Sequence, residues 1–297
     1  MNHPVPLLLI TGVLLGLVFP LGKVAVEAGV SPIVWALVIA AGSGIGLAWP
    51  LVRRLRERDW PEGFLRYSVI SGLVSNILPN LIVFSAAPNL GAGYVGLMFT
   101  LSPVCTLALS LMAGMRRPSG LALAGIAIGF FGAVVLVLGK GETRVTDVPI
   151  LWLGLALLIP VFLGLGNIYR GMAWPKASGA VELASASNIA SALMLLALVP
   201  IIGGMDSLSK LADVPDLTAI QIVLSCAYYI ALFALQRAGG PVYLSQIGYV
   251  GATVALVVGV AALDERYGLL TWVGAAIVLI GIGFAVKAQM RSVARSG

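Results

Sequence analysis

Residues 5–27 read VPLLLITGVLLGLVFPLGKVAVE. Up to Lys23 the run carries no charge, and at about 1.5 Å per residue a helix of this length crosses a hydrocarbon core roughly 30 Å thick. Lipid offers no partner to free N–H and C=O groups, so a spanning segment is either a helix or one strand of a closed barrel. A continuous apolar run, rather than ten-residue alternation, selects the helix. Two residues resist this reading. Pro20 removes a backbone donor, and Lys23 carries a charge into a medium of low dielectric.

The same pattern recurs along the whole chain. Of its 297 residues 60% are hydrophobic and 10% charged, with a mean hydropathy of +1.04, whereas a soluble domain carries about 25% charged residues. Cutting at polar and Gly/Pro breaks predicts ten spans, near 5–27, 32–52, 64–86, 91–114, 119–139, 150–171, 179–202, 217–237, 241–263 and 269–288. The fold class expected is therefore an all-α membrane protein. Its 36 glycines and 16 prolines suit such a fold, because small residues let helices approach and neighbouring helices satisfy freed backbone groups. The start MNHPVPLLLITG lacks the basic segment and small-residue cleavage site of a signal peptide, so it reads as the first span.

Charge sets the expected orientation. With the N-terminus inside, thirteen Lys and Arg fall on the inner side and four, Lys140, Arg144, Lys210 and Arg266, on the outer, with Lys23 set aside. Both termini are then cytoplasmic. The net charge of +6 is read as this topology signal and not as a nucleic-acid surface. Cys105 and Cys226 fall inside predicted spans and read as small apolar side chains. The single histidine, His3, and the lack of an Asp/His cluster leave no expected metal, cofactor or catalytic site, which argues against an integral-membrane enzyme acting on lipid head groups.

The chain also repeats itself. GYVGLMFTLSPVCTLALSLMA (93–113) lies over PVYLSQIGYVGATVALVVGVA (241–261), and GIAIGFFGAVVLV (125–137) over GAAIVLIGIGFAV (274–286). Five spans per half is an odd number, so the second half enters the membrane from the opposite side. The expected organisation is two inverted five-helix repeats, 1–140 and 141–297, the arrangement that supports alternating access to a site near the midplane. A purely structural subunit would not require it.

Three stretches, GLVFPLGKVAVEAGVSP (16–32), TLSPVCTLALSLMAGMRRPSGLALAGIAIGFFGAVVLV (100–137) and VALVVGVAALDERYGLLTWVGAAIVLIGIG (254–283), resemble the EamA-type repeats of the drug/metabolite transporter superfamily. The resemblance spans essentially the whole chain and implies ten helices in a bacterial inner membrane and export of small metabolites, commonly amino acids. Two features depart from the family's pattern. Arg116 and Arg117 replace the usual acidic residue after the fourth span, although Asp264 and Glu265 remain in the second half, and SPIVWALVIAAGSG (31–44) lacks the early arginine of the second span.

The span centres hold no Asp or Glu, and Glu27, Glu182, Asp264 and Glu265 read as solvated end charges. A proton pump built on a buried carboxylate is thus disfavoured against facilitated diffusion or exchange. The expected cavity is mostly neutral and lined by Asn76, Asn80, Tyr94, Ser102, Asn167, Tyr169, Tyr228, Tyr243 and Gln246. Each of these polar groups in lipid needs either a cavity or a partner on another helix. Breaks at Pro79, Pro103 and Pro160 would free carbonyls for an ammonium group, and Pro20 with Lys23 would form a gate at the outer mouth, or Lys23 an interface anchor with Arg170 as its inner counterpart. Trp152 and Trp174 read as interface-belt residues, and the glycine repeats of the fifth and tenth spans as packing faces. The partners expected are the bilayer and a small zwitterionic or neutral amphiphile, aromatic or bulky amino acids being favoured, carried by what could be a monomer. A multidrug or nucleotide-sugar carrier is the alternative within the superfamily.

Overall fold

The computed structural model of the protein describes residues 4–57, 60–90, 92–115, 118–138, 150–202, 204–262 and 268–294. Arg116, Arg117, Asp264 and Glu265 lie outside the described residues, as does the side chain of Tyr94. Helices account for the architecture, and no strand occurs among the described residues. Pro4–Glu27, Phe64–Ala86, Gly154–Met172, Ala180–Leu198, Pro215–Ser245 and Leu269–Ala288 are long and apolar enough to cross a membrane. Shorter apolar helices, Met98–Met112, Gly120–Val135 and Ile247–Ala262, occupy the fourth, fifth and ninth predicted stretches.

Several predicted spans are interrupted, most of them beside a proline or a glycine. The second stretch divides into α2 (Pro32–Gly46) and α3 (Trp49–Glu57), bent by 59°. Pro50 lacks the N–H that a continuing helix would need and fits the first turn of a new one. The third contains α4 (Phe64–Ser71), a π-helical segment (Gly72–Ile77) and α5 (Leu78–Leu90). The fourth divides at Leu101 into α6 (Ala92–Thr100) and α7 (Ser102–Met112), with Pro103 in the first turn of α7. α12 (Pro215–Ser245) is interrupted at Gly240, whose φ of 72° and ψ of 178° only glycine adopts readily. Gln246 then separates it from α13 (Ile247–Ala262).

Because most faces are apolar, small residues and not hydrophobicity select the partners. α1 (Pro4–Glu27) lies along α13, with Gly12 and Gly16 against Val250, Gly251 and Val254. α8 (Gly120–Leu138) lies along α14 (Leu269–Ala294), and a Cβ on Gly281 would stand 2.8 Å from the Gly125 carbonyl and 2.6 Å from the Gly129 nitrogen. The glycine repeats are thus a packing face. α9 (Ile150–Met172) packs on α5 and α7, and α10 (Ala180–Leu198) on α2, α4 and the π segment. Every one of these contacts joins the two halves of the chain.

The ends of the bundle are tied differently. At one end Arg54 of α3 pairs with Glu182 of α10 and donates to the Ala177 carbonyl at 2.5 Å. Glu182 is buried there and also accepts from the Gly179 backbone N–H at 3.1 Å, so it is not the solvated end charge expected from sequence. At the other end the Ser31 N–H donates to the hydroxyl of Ser207 in α11 (Met205–Ser209) at 2.6 Å.

Candidate functional site

Between the halves lies a small cavity of about 50 Å³. The π segment brings Ser75 and Asn76 to it, and α5 contributes Pro79 and Asn80 directly afterwards. A π turn adds one residue to the helical repeat and re-aims the side chains that follow, and such bulges are frequent at functional sites. The two broken helices each deliver a serine, Ser102 from the start of α7 and Ser245 from the end of α12. Asn167 and Arg170 reach the cavity from α9, and Ser225, Tyr228 and Tyr229 from α12.

Arg170 changes the character of this space. Its sequence position suggested an anchor at the end of the sixth span, and the cavity was expected to be neutral. Instead the residue is 3% exposed, and its Nη2 donates to Asn167 Oδ1 at 2.6 Å. Its guanidinium carbon lies 5.8 Å from the Phe233 ring centroid. The cause is helical geometry: side chains tilt toward the helix N-terminus, so a residue near the end of α9 points back into the bundle. Tyr67, Tyr228 and Tyr229 surround the charge, its Nε has no hydrogen-bond partner, and no carboxylate pairs with it among the described residues. A buried cation without a counter-charge is costly by several kcal/mol. An anionic group entering the cavity removes that cost.

Asn167 is the hub beside it. Its Nδ2 donates to the Thr106 hydroxyl at 3.4 Å, and its backbone carbonyl accepts from Gln236 Nε2 at 3.2 Å. Asn76 is partly consumed by packing, donating to Asn188 Oδ1 at 3.3 Å and Ser191 Oγ at 3.4 Å. Asn80 pairs with the Tyr229 hydroxyl.

Two aromatic layers bound the cavity. Toward the Ser31–Ser207 end stand Phe19, Phe99 and Phe84, the first two in edge-on contact at 4.8 Å and the third packed against Gly22. Toward the Arg54–Glu182 end Tyr67 stacks on Tyr169 at 5.8 Å and meets Trp174 at 6.1 Å, and Trp174 meets Phe233 at 6.1 Å. Trp174 is half-buried in this layer, with its indole N–H donating to the Ser178 carbonyl at 3.3 Å.

Of the residues expected at the site, Asn76, Asn80, Ser102, Asn167, Tyr228 and Pro79 line the cavity. Tyr169 belongs to the aromatic layer, while Tyr243 and Gln246 are buried outside the lining. Pro20, Pro103 and Pro160 lie within their helices without lining it, and Lys23 stands 4.0 Å from Glu27 one turn further along α1. The polar lining residues Ser75, Arg170, Ser225, Tyr229 and Ser245 were not in the set expected from sequence. For Arg170 the signal was its spacing of three residues from Asn167, which puts both on one helix face.

These features define a polytopic helical membrane protein with a small cavity, edged by polar side chains, between its halves. Residues 4–138, a little under half of the chain, match the sequence model of the EamA-like transporter family, whose members are membrane transporters, and the helical fold fits the drug/metabolite transporter superfamily. A solved crystal structure, described only as that of a protein, is 18% identical, with a TM-score of 0.67 and coverage of 96% of this chain and 97% of that one. That likeness concerns the fold. No curated protein matches the chain.

Proposed function

We propose that the protein exports amino acids or closely related small carboxylates across a bacterial inner membrane by alternating access, without ATP. The observation that carries this reading is Arg170, a buried guanidinium that lines the cavity and has no counter-charge among the described residues. A substrate carboxylate supplies one, and a bidentate guanidinium–carboxylate contact adds geometric selection. The hydroxyls and amides of Ser75, Asn80, Ser102 and Tyr228 are suited to an ammonium group and to the substrate's remaining polar atoms. Phe19, Phe84 and Phe99 form an apolar wall for a bulky side chain.

In this reading the chain crosses the membrane ten times as two inverted repeats, 1–140 and 141–297, with both termini cytoplasmic. The helix contacts support the symmetry. Exchanging each span for the one five places away turns the α1–α13 contact into α9–α7 and the α1–α12 contact into α9–α5, and all of these occur. The two aromatic layers then act as alternate gates, and the volume of about 50 Å³ corresponds to a state closed on both sides. It is far below the roughly 300 Å³ at which ligand pockets begin, so one layer opens before a substrate enters.

Purified protein in liposomes should exchange labelled amino acid with neither ATP nor an imposed proton gradient. Uptake no greater than that of empty liposomes across a broad amino-acid panel would refute the substrate assignment. Faster transport of cationic drugs than of carboxylates would favour a multidrug carrier, which an unpaired arginine in the cavity opposes.

A further inference from the structure

Two other cavities meet at the Arg54–Glu182 end of the bundle; neither shares a lining residue with the central cavity, and the second lies on the far side of the Tyr169–Trp174 layer. One is a groove of about 670 Å³ on the flank between α4 and α10, with walls that include Trp60, Phe64, Leu65, Ile189 and Leu193. The other, about 490 Å³, is lined by Glu62, Arg66, Tyr169, Trp174 and Lys176 among others. They share Gly63 and Arg66, so an apolar cleft runs directly into a polar pocket holding two cations and one carboxylate. We propose that the pair is a seat for one anionic phospholipid, with an acyl chain in the groove and the phosphate between Arg66 and Lys176.

Three observations select this occupant. α4 and α10 belong to membrane-crossing helices, and the groove residues Leu65 and Leu193 are 75% and 63% exposed, so hydrocarbon fills the cleft. Depth is fixed by α3, which bends 59° away from α2 and exposes Trp49, Val52, Arg53 and Arg56 on one face, the pattern of a helix lying at the head-group level. Its opposite face supplies Leu51 to the groove wall and Arg54 to Glu182. Charge completes the match: neither Arg66 nor Lys176 has an ion-pair partner among the described residues, and with Glu62 the pocket carries a net single positive charge, complementary to a phosphodiester.

The test uses the full-length protein, stripped of lipid in detergent and titrated with phosphatidylglycerol or phosphatidylcholine of identical acyl chains, with bound lipid counted by native mass spectrometry. Phosphatidylglycerol should be retained in preference. Arg66→Gln should weaken its retention about fivefold, the effect of one interfacial cation, while leaving phosphatidylcholine unchanged, and Arg66→Lys should restore most of it. Leu193→Trp, which fills the groove, should reduce retention of both lipids. Equal retention of the two lipids, an unchanged Arg66→Gln, or displacement of the lipid by a soluble amino acid would overturn the proposal. So would a monomer–dimer shift in Leu193→Trp with lipid binding intact, since a second copy of the chain would then occupy the groove.

Discussion

Arg170 and Asn167 lie one turn apart on α9, and the guanidinium Nη2 donates to the amide oxygen at 2.6 Å. The amide is itself held by Thr106 of α7 and, through its backbone, by Gln236 of α12. A charge that would otherwise swing freely is thereby aimed into the space between the halves.

Arg170→Gln should lower binding of a carboxylate substrate by at least about tenfold, since a hydrogen bond to a charged group contributes roughly 1.5–3 kcal/mol. Arg170→Lys should recover part of it, limited by the loss of the bidentate fork. Isothermal titration with the transported amino acid and with its amide distinguishes the two cases. The amide should bind wild type and Arg170→Gln alike.

Lys23→Met should change transport by less than about fivefold, because an ion pair as exposed as that with Glu27 contributes no more than about 1 kcal/mol. Initial rates of exchange in liposomes read this directly. A loss as deep as that of Arg170→Gln would make Lys23 part of the substrate path.

Removing Arg54 leaves the Glu182 carboxylate buried without that cation, which costs about 3–5 kcal/mol. Arg54→Met and Glu182→Gln should each lower the thermal midpoint clearly. The double variant should lose less than the sum of the two, and a double-mutant cycle measured by thermal unfolding gives the coupling.

Gly281 and Gly283 are two residues apart on α14 but face different surroundings. A side chain at Gly281 meets the α8 backbone, whereas one at Gly283 meets nothing within 4 Å. Gly281→Leu should therefore destabilise the protein by about 1–3 kcal/mol or more. Gly283→Leu should be nearly neutral, and midpoints from fluorescence-detected size exclusion after heating compare the two.

The helical membrane fold was legible because lipid leaves the backbone so few options. The runs were long, and of the breaks expected at prolines the one at Pro103 is present, while α9 runs unbroken through Pro160 and the bend before Pro50 was read as a continuous span. Less legible was how an end residue behaves. Glu182 read as solvated because partnership with Arg54, 128 residues away, has no local signature. Arg170 read as an anchor because distance from the helix end was weighed without the direction in which its side chain tilts. Asn76 shows a third kind of ambiguity: an intramembrane amide satisfies its donors on Asn188 and Ser191 while still edging the cavity, and composition cannot separate those roles.

The two ends of the bundle are fastened by different chemistry, a buried ion pair at Arg54–Glu182 and a neutral hydrogen bond at Ser31–Ser207. In a carrier with no energy source this difference has no power to choose a direction, because microscopic reversibility fixes the ratio of forward to backward flux by the concentration gradient alone. What it alters is the resting distribution between the two faces, and with it the half-saturating concentration seen from each side. Measured from opposite faces of oriented vesicles, the protein should thus appear to have two different affinities for one and the same solute.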